Sequence, residues 1–489
     1  MPRKAIKCGN LKILTDKQIK SIHDSTMRLL ENAGIRVLNE NALEIYHDNG
    51  CKVDFDKKIV RISEDVLMSF LLKAPEKFIL CGKNEDYDLD IDCSSSYLMG
   101  GAGGIRILDL DGKYREPDST DLNNFTRLQD ALPNIDIICP IAIPKDIDQE
   151  ILELYMSAET MKNTYKNCDL WVHSSLEVDY QIKIAEIITG QKFGRRPIFT
   201  LCIDLISPMV QPDNVLDTMI EAVKRDVPVY VEVCDMMGST SPVTIAGTLV
   251  QQSVNILSGI ALAQMIKSGA PCFYSIASAA SDMKSGGYLA ADPVTVLLNA
   301  ATAQIAHYYN LPLNNGTSLD SKLPDIQAGY ERAFQNMGCI VSGTNIIHLG
   351  TGMLEQMAMT NYELTVIDDE IFGMCRKFFE EVIVDDERIG EKLISKVFLG
   401  GKKEYLSEDH TLKYFKENLW GMKITDKKNY EIWNRNGRVD AVSKAKEVAE
   451  ELIKNHHPKI VDEDKDRLIS NILEEAKIKL AEMKSKNRK

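Results

Sequence analysis

The sequence predicts an α/β protein built on a TIM (β/α)8 barrel, with an N-terminal cap over residues 1–98, the barrel over 99–375 and a C-terminal helical extension over 376–489. Three observations predict it. Between about 135 and 365, short apolar runs alternate with helical patterns, the rhythm of strand-then-helix crossovers. The runs are almost continuously apolar, as parallel strands covered on both faces read. Polar side chains gather at their C-terminal ends, where sheets of this kind keep their chemistry. Strands are expected at 137–143, 170–173, 198–204, 229–233, 272–277, 311–314 and 345–348. An eighth falls either over 98–108 or outside this range, and closure of the sheet separates a barrel from a doubly wound fold.

The elements follow in order. Residues 11–50 read as helices: Thr15 with Gln18 three residues later is a capping box, and Ile19, Ile22, Met27, Leu29 and Leu30 form an apolar face up to Gly34. Residues 51–98 read as short strands and turns, with one small helix after Ser63. The glycine-rich stretch 99–104 lacks the spacing of a phosphate loop or a dinucleotide fingerprint. A close-packed turn is the favoured reading, a ligand lying on bare backbone the other. Helices at 212–225, 242–267 and 293–309 each open on a proline, which the first helical turn accommodates. Residues 366–489 are charged and mostly helical, broken at Pro458, and end in KSKNRK. They read as solvated helices docked on the outside of the barrel.

The formal net charge of −14 disfavours nucleic acid and anionic membranes as partners, since both demand clustered Lys and Arg. The basic start, MPRKAIKCGN, lacks the apolar core of a signal peptide, and no apolar run is expected to cross a bilayer. The eleven cysteines include no CxxC pair. Cys139, Cys202, Cys234 and Cys272 lie in apolar runs, as reduced core cysteines of a cytoplasmic protein do.

The most informative stretch is 311–355, which reads as strand, polar loop, helix, strand and glycine-rich loop. Asp325 is expected to cap the helix, and Gly343 to end it. The strand ends hold Asn314, Asn315, Ser318, Asp320, Ser321, Lys322 and His348. Other strand ends supply Trp171, His173, Asp204, Glu232, Asp235, Tyr274 and Ser278, and Gln327, Arg332, Glu355 and Tyr362 flank the stretch. This is no nucleophile set, since no GxSxG elbow occurs. No metal set is expected either: His173 and His348 lie far apart, and neither HxH nor HExxH occurs. Each residue also has a bland reading. His173 and His348 fit as satisfied barrel histidines, Glu232 as half of an ion pair, and Tyr274 and Trp171 as core.

Several segments together resemble the trimethylamine methyltransferase (MttB-like) family. They are SLDSKLPDIQAGYE from Ser318, GTNIIHLGTGMLE from Gly343, NYELTVIDDEIFGMCRKF from Asn361, GSTSPVT from Gly238, and HTLKYFKENLW with NYEIW near the end. The resemblance covers nearly the whole chain. It implies a TIM-barrel methyltransferase that passes a methyl group from an amine to the cobalt of a separate corrinoid protein. Founding members carry pyrrolysine in the loop equivalent to Lys322 or a residue near it. Only ordinary residues stand there in this chain, which places it in the non-pyrrolysine branch acting on quaternary amines such as glycine betaine, proline betaine, carnitine or γ-butyrobetaine.

On that reading Lys322, Asp320 and His348 are expected to carry catalysis. Tyr97, Trp171, Phe199, Tyr274 and Tyr362 are expected to supply an aromatic wall for the cation. His348, Arg332, Gln327, Asn315 and backbone N–H groups near Gly350 are expected to hold a substrate carboxylate, with Glu232 and Glu355 completing the substrate-binding set. No cofactor is expected to bind tightly. The resemblance implies that cobalamin arrives on its own protein, with which the lack of a DxHxxG-type motif in this chain is consistent, and self-association is expected. Two other readings stay open: a lyase or aldolase with Lys322 as Schiff-base lysine, and a betaine-binding subunit without turnover.

Overall fold

The eight barrel strands are held by what covers them. In the computed structural model, which describes residues 6–7, 11–92, 94–401 and 404–487, they are β1 Ser95–Leu98, β2 Ile137–Ile138, β3 Asn167–Leu170, β4 Phe199–Leu205, β5 Val229–Val233, β6 Cys272–Ile276, β7 Leu313–Gly316 and β8 Ile346–His348. From β2 onward each pairs in parallel with the next, and β8 pairs in parallel with β1. The ring closes between β1 and β2 through the parallel bridge of Met99 to Ile137, where the Gly100 N–H donates to the Ile137 carbonyl at 2.9 Å. The sheet is therefore a barrel. Its first strand begins inside the stretch expected to form the cap: Ser-Ser-Tyr-Leu is too short and too polar to read as a strand, and pairing defines it, parallel with β8 on one side and antiparallel with Ile6–Lys7 on the other. β3 sits earlier than expected because Ser174 caps the helix that follows it.

One helix follows each strand: α1 Ser119–Ala131, α2 Leu152–Lys162, α3 Ser175–Thr189, α4 Asp213–Lys224, α5 Ile245–Ile266, α6 Pro293–Tyr308, α7 Ile326–Ser342 and α8 Tyr362–Phe378. Local chemistry sets their ends. Asp325 accepts from the backbone N–H groups of Gln327 and Ala328, and Gly343 closes α7 at φ 96°, the left-handed geometry glycine adopts freely. Contrary to expectation, α5 is long and apolar enough to cross a membrane by length and composition. It is apolar all round because it is sandwiched between β5 and β6 on one side and the N-terminal helices on the other, and most of it is buried.

The N-terminal segment carries helices at Asp16–Asn32, Glu40–Asp48 and Glu64–Leu71, the first opened by the Thr15–Gln18 capping box. A hairpin, Phe78–Leu80 with Leu89–Ile91, packs against the barrel residues Tyr97, Tyr230, Phe273 and Ile346 and forms the floor. The glycine-rich turn is close-packed: a Cβ at Gly101 would lie 2.3 Å from the Thr351 carbonyl oxygen, and one at Gly104 2.3 Å from Thr360 Cγ2. At the other end, helix Ala441–Asn455 packs on α8 and α1, and helix Glu463–Asn487 on α3 and α2. Most of the basic start, Cys8, Cys93 and the last two residues lie outside the described residues.

Candidate active site

In a strand alternate side chains point to opposite faces, so register decides what lines the barrel. Asp204, Glu232, Ser275 and Asn314 are direct neighbours across β4, β5, β6 and β7; the hydrogen bonds among Glu232, Ser275 and Asn314 place those three on the inner face, and register sets Asp204 beside Glu232. Gly316 of β7 pairs with His348 of β8 one step further up. This polar row stands above the aromatic floor, at the C-terminal end of the barrel.

From His348 to Glu232 the row is one hydrogen-bonded chain. Asn314 Nδ2 donates to Ser275 Oγ at 3.0 Å, and Ser275 Oγ donates to Glu232 Oε2 at 2.5 Å. With its amide nitrogen so committed, Asn314 turns its Oδ1 to His348 Nδ1 at 3.0 Å. An amide oxygen only accepts, so Nδ1 carries the proton and Nε2 keeps a lone pair. That lone pair faces Glu232 Oε2 at 3.5 Å. A Cβ on Gly316 would stand 3.0 Å from both the His348 ring and Ala277 Cα, so glycine leaves room for the imidazole.

Two cysteines join the row. Cys202, two residues before Asp204, brings Sγ to 3.8 Å from Glu232 Oε1, and Cys234, two after Glu232, lies 3.9 Å from Asp204 Oδ1. Cys139 and Cys272 are buried as expected, but Cys202 is half-buried and Cys234 and Asp204 are open to solvent. The cup is thus polar and open at the top. Burial pushes the Glu232 carboxyl up to about 7, against the pull of the Ser275 and Cys202 hydrogen bonds. Enclosure by the barrel wall, then the charge of Glu232, pushes Asp204 up to about 7. Burial holds His348 down to about 4, against the attraction of Asp204, so the imidazole is neutral at neutral pH. No lysine or arginine comes within ion-pair distance of Asp204 or Glu232 among the described residues.

Of the residues expected to act, the structure brings only Glu232 and His348 together in the cup. Phe199 and Tyr274 face outward, Phe199 against Phe193 at 4.7 Å between rings and Tyr274 with its hydroxyl 3.0 Å from Ser253 Oγ on α5. Asn315 also faces outward, donating to Thr344 Oγ1 and the Asn299 carbonyl. One residue of parity puts all three behind the wall. Tyr97 is in the floor, its hydroxyl donating to the Asp90 carbonyl. Tyr362 stacks on Phe125 at 3.9 Å in the helix layer and bonds Asp121. Trp171 is half-buried at the end of β3 beside Leu122, Leu152 and Met156.

The remaining candidates hold loops together. Arg332 is fully buried and bonds Asp368, Thr317 and the Leu349 carbonyl. Asp320 accepts from the N–H groups of Ala290 and Ala291 and from Gln356, tying the loops after β6, β7 and β8. Lys322 is exposed, its ammonium donating to the Asp320 carbonyl, outside the apolar enclosure that Schiff-base lysines use. Gln327 pairs with Glu331 at 2.7 Å. The Glu355 N–H donates to the Ser321 carbonyl at 2.9 Å, and Gly350 lies where a Cβ would touch Leu98 at 2.5 Å. Ser275, Cys202 and Cys234 escaped the sequence reading. The signal that finds them is spacing: Cys202 and Cys234 stand two residues from Asp204 and Glu232 respectively.

The profile of the trimethylamine methyltransferase (MTTB) family matches residues 2–480. A trimethylamine methyltransferase of Desulfitobacterium hafniense is 30% identical over 465 residues, covering 94% of this chain and 93% of that protein. A glycine betaine methyltransferase from the same species is 30% identical over 458 residues, covering 93% and 95%. The crystal structure of the Methanosarcina barkeri monomethylamine methyltransferase aligns with a TM-score of 0.48 at 11% identity, over 92% of this chain and 96% of that one.

Proposed function

This chain belongs to the trimethylamine methyltransferase family, and from that premise we propose that it moves a methyl group from a quaternary, betaine-type amine to the cobalt of a separate corrinoid protein, releasing the tertiary amine. The observation that carries the proposal is the mouth of the barrel. A polar cup is ringed by large apolar side chains exposed on five of the strand-to-helix loops: Ile105 after β1, Ile206 after β4, Val243 after β5, Met283 after β6 and Leu323 after β7. A water-facing apolar rim around a polar site is what a protein partner covers. A methyl acceptor carried on another protein has to approach from that side.

The corrinoid supplies a strongly nucleophilic cobalt. What remains for this chain is to bind and aim. A quaternary nitrogen leaves as a neutral amine, taking the electron pair of the broken N–CH3 bond, so no proton has to be delivered to it. That fits a cup whose histidine is neutral and whose only lysine candidate, Lys322, is an exposed loop residue. Holding the N–CH3 bond in line with its acceptor supplies most of the rate enhancement. In this reading His348 orients substrate from the inner wall, while Asp320 and Arg332 fix the loops. Ordinary residues around Lys322 favour a quaternary amine over trimethylamine, whose nitrogen carries no permanent charge to lose. The nine described cysteines are unpaired, which supports a reducing, cytoplasmic setting. Phe378, Val382, Val384, Phe398, Leu399 and Leu406 are exposed on the C-terminal extension, which supports self-association.

The test is a panel of betaines and trimethylamine offered to the purified chain with a reduced corrinoid protein, following methyl–cobalt formation by absorbance. Turnover of at least one quaternary amine, with trimethylamine inert, is the expected result. Turnover of trimethylamine alone would overturn the substrate assignment, and no methylation with any amine would favour a binding subunit.

A further inference from the structure

We propose that Cys202, Asp204, Glu232 and His348 bind a divalent first-row transition cation of the zinc type at the base of the barrel mouth. No run of the sequence announces such a site, because its ligands come from β4, β5 and β8 and meet only when the barrel closes. The sulfur of Cys202 and one carboxylate oxygen each of Asp204 and Glu232 lie within 4.8 Å of one another. A tetrahedral zinc ion with bonds of about 2.0–2.3 Å sets its ligands about 3.3–3.8 Å apart. Cys202 Sγ to Glu232 Oε1 is 3.8 Å, so one edge already has that length, and His348 Nε2 stands 3.5 Å from the other carboxylate oxygen, Glu232 Oε2.

A second observation is independent of the acidic pair. His348 is more than nine-tenths buried, and its Nε2 lone pair faces the Glu232 carboxylate of the cluster at 3.5 Å, with no hydrogen-bond donor on it among the described residues. The other ring nitrogen is fixed as N–H by Asn314, which is in turn oriented by Ser275. This is how proteins hold a metal-binding imidazole: an outer hydrogen bond selects the tautomer and aims the ring. Ser275 does the same for Glu232. A thiolate, an imidazole and carboxylates together select zinc, cobalt or iron(II) over magnesium or calcium.

Uptake would release the thiol proton of Cys202. Three anionic ligands against a +2 ion leave the cluster at a net charge of −1, so the ion does not repel a quaternary ammonium group nearby. Asp204 is open to the mouth, and a position on the ion facing that way would accept a carboxylate. The role of the ion as anchor for the substrate carboxylate rests on the betaine reading, but its binding does not.

The experiment is a Co2+ titration of protein first dialysed against a chelator. The expected result is one equivalent bound with a near-ultraviolet thiolate-to-cobalt band. Cys202→Ser should abolish the band while circular dichroism and melting temperature stay unchanged, and Cys234→Ser should keep it. Asn314→Ala, which frees the His348 tautomer, should weaken Co2+ binding by about 10- to 100-fold. Absence of the band in the wild type, its survival in Cys202→Ser, or its loss in Cys234→Ser alone would overturn the assignment. A chain that binds no metal yet demethylates a betaine would sink this inference and leave the methyl-transfer proposal standing. Cobalt binding without turnover of any quaternary amine would do the reverse.

Discussion

Arg332→Met separates two roles for a residue that sequence and structure read differently. A substrate-binding arginine would raise KM when removed and leave stability alone. The structure instead buries the guanidinium completely, with Nε 3.1 Å from Asp368 Oδ1 and Nη1 3.1 Å from Thr317 Oγ1 and 3.3 Å from the Leu349 carbonyl. It ties α7 to α8 and both to the loops after β7 and β8. Removing one partner of such a pair costs about 3–5 kcal/mol, a fall in Tm on the order of 5–10 °C for a large domain. The loss should depend on pH. Asp368 is raised by burial to about 6, with Arg332 and the Gly352 N–H pulling it down. Its folded value lies above its ordinary one, so in the wild type its contribution is complete below about 4, falls as pH rises to about 6 and is constant above. Without Arg332 the carboxyl titrates higher still, and the decline continues past pH 6 at up to about 1.36 kcal/mol per unit. Unfolding followed by calorimetry at pH 6 and pH 8.5 should show the variant losing up to about 3 kcal/mol more at the higher pH. Wild-type stability at both pH values together with a raised KM for a betaine would refute the reasoning.

Asp235 offers the opposite sign. Burial raises its carboxyl to about 6, and Oδ2 has no partner while Oδ1 accepts from Gln251 at 2.9 Å. Its stabilisation is full below about 4 and lost by about 6, so Asp235→Asn should stabilise the chain by up to about 3 kcal/mol at pH 8 and little at pH 4; equal effects in melts at both pH values would count against this. Gly316→Ala sets a methyl 3.0 Å from Ala277 Cα and from the His348 ring. Overpacking of about 1–3 kcal/mol and a displaced imidazole should cut methyl transfer by about 100-fold, and an unchanged rate would show that the ring position does not matter. His348→Ala should raise KM for the betaine at least about tenfold, and unchanged kcat and KM in steady-state kinetics would remove His348 from the site.

The helices were legible because their ends carry local signals. Thr15 with Gln18, Asp325 and Gly343 act on backbone groups within a few residues, and the structure uses all of them. β5 was legible to the residue because Val229–Val233 is bounded by turns and apolar throughout. β1 was not, because Ser95–Leu98 is a strand only by virtue of its distant neighbours, β8 and Ile6–Lys7.

The cup was half legible. Glu232 and His348 stood out as polar groups at strand ends, yet Phe199, Tyr274 and Asn315 stood out equally and face the other way. A parallel strand buried on both faces has no polar alternation to tell inside from outside. The sequence by itself determined that strands and helices alternate, where most begin and end, which family the segments resemble, and that polar chemistry collects at one end of the sheet. Closure of the ring decided the rest: which alternate residue of each strand faces inward, and therefore that Cys202, Asp204, Glu232, Ser275, Asn314 and His348 share one cup. Those six lie on five strands spread over almost 150 residues of chain, and the contacts that join them are set by register between strands, a quantity no single strand encodes.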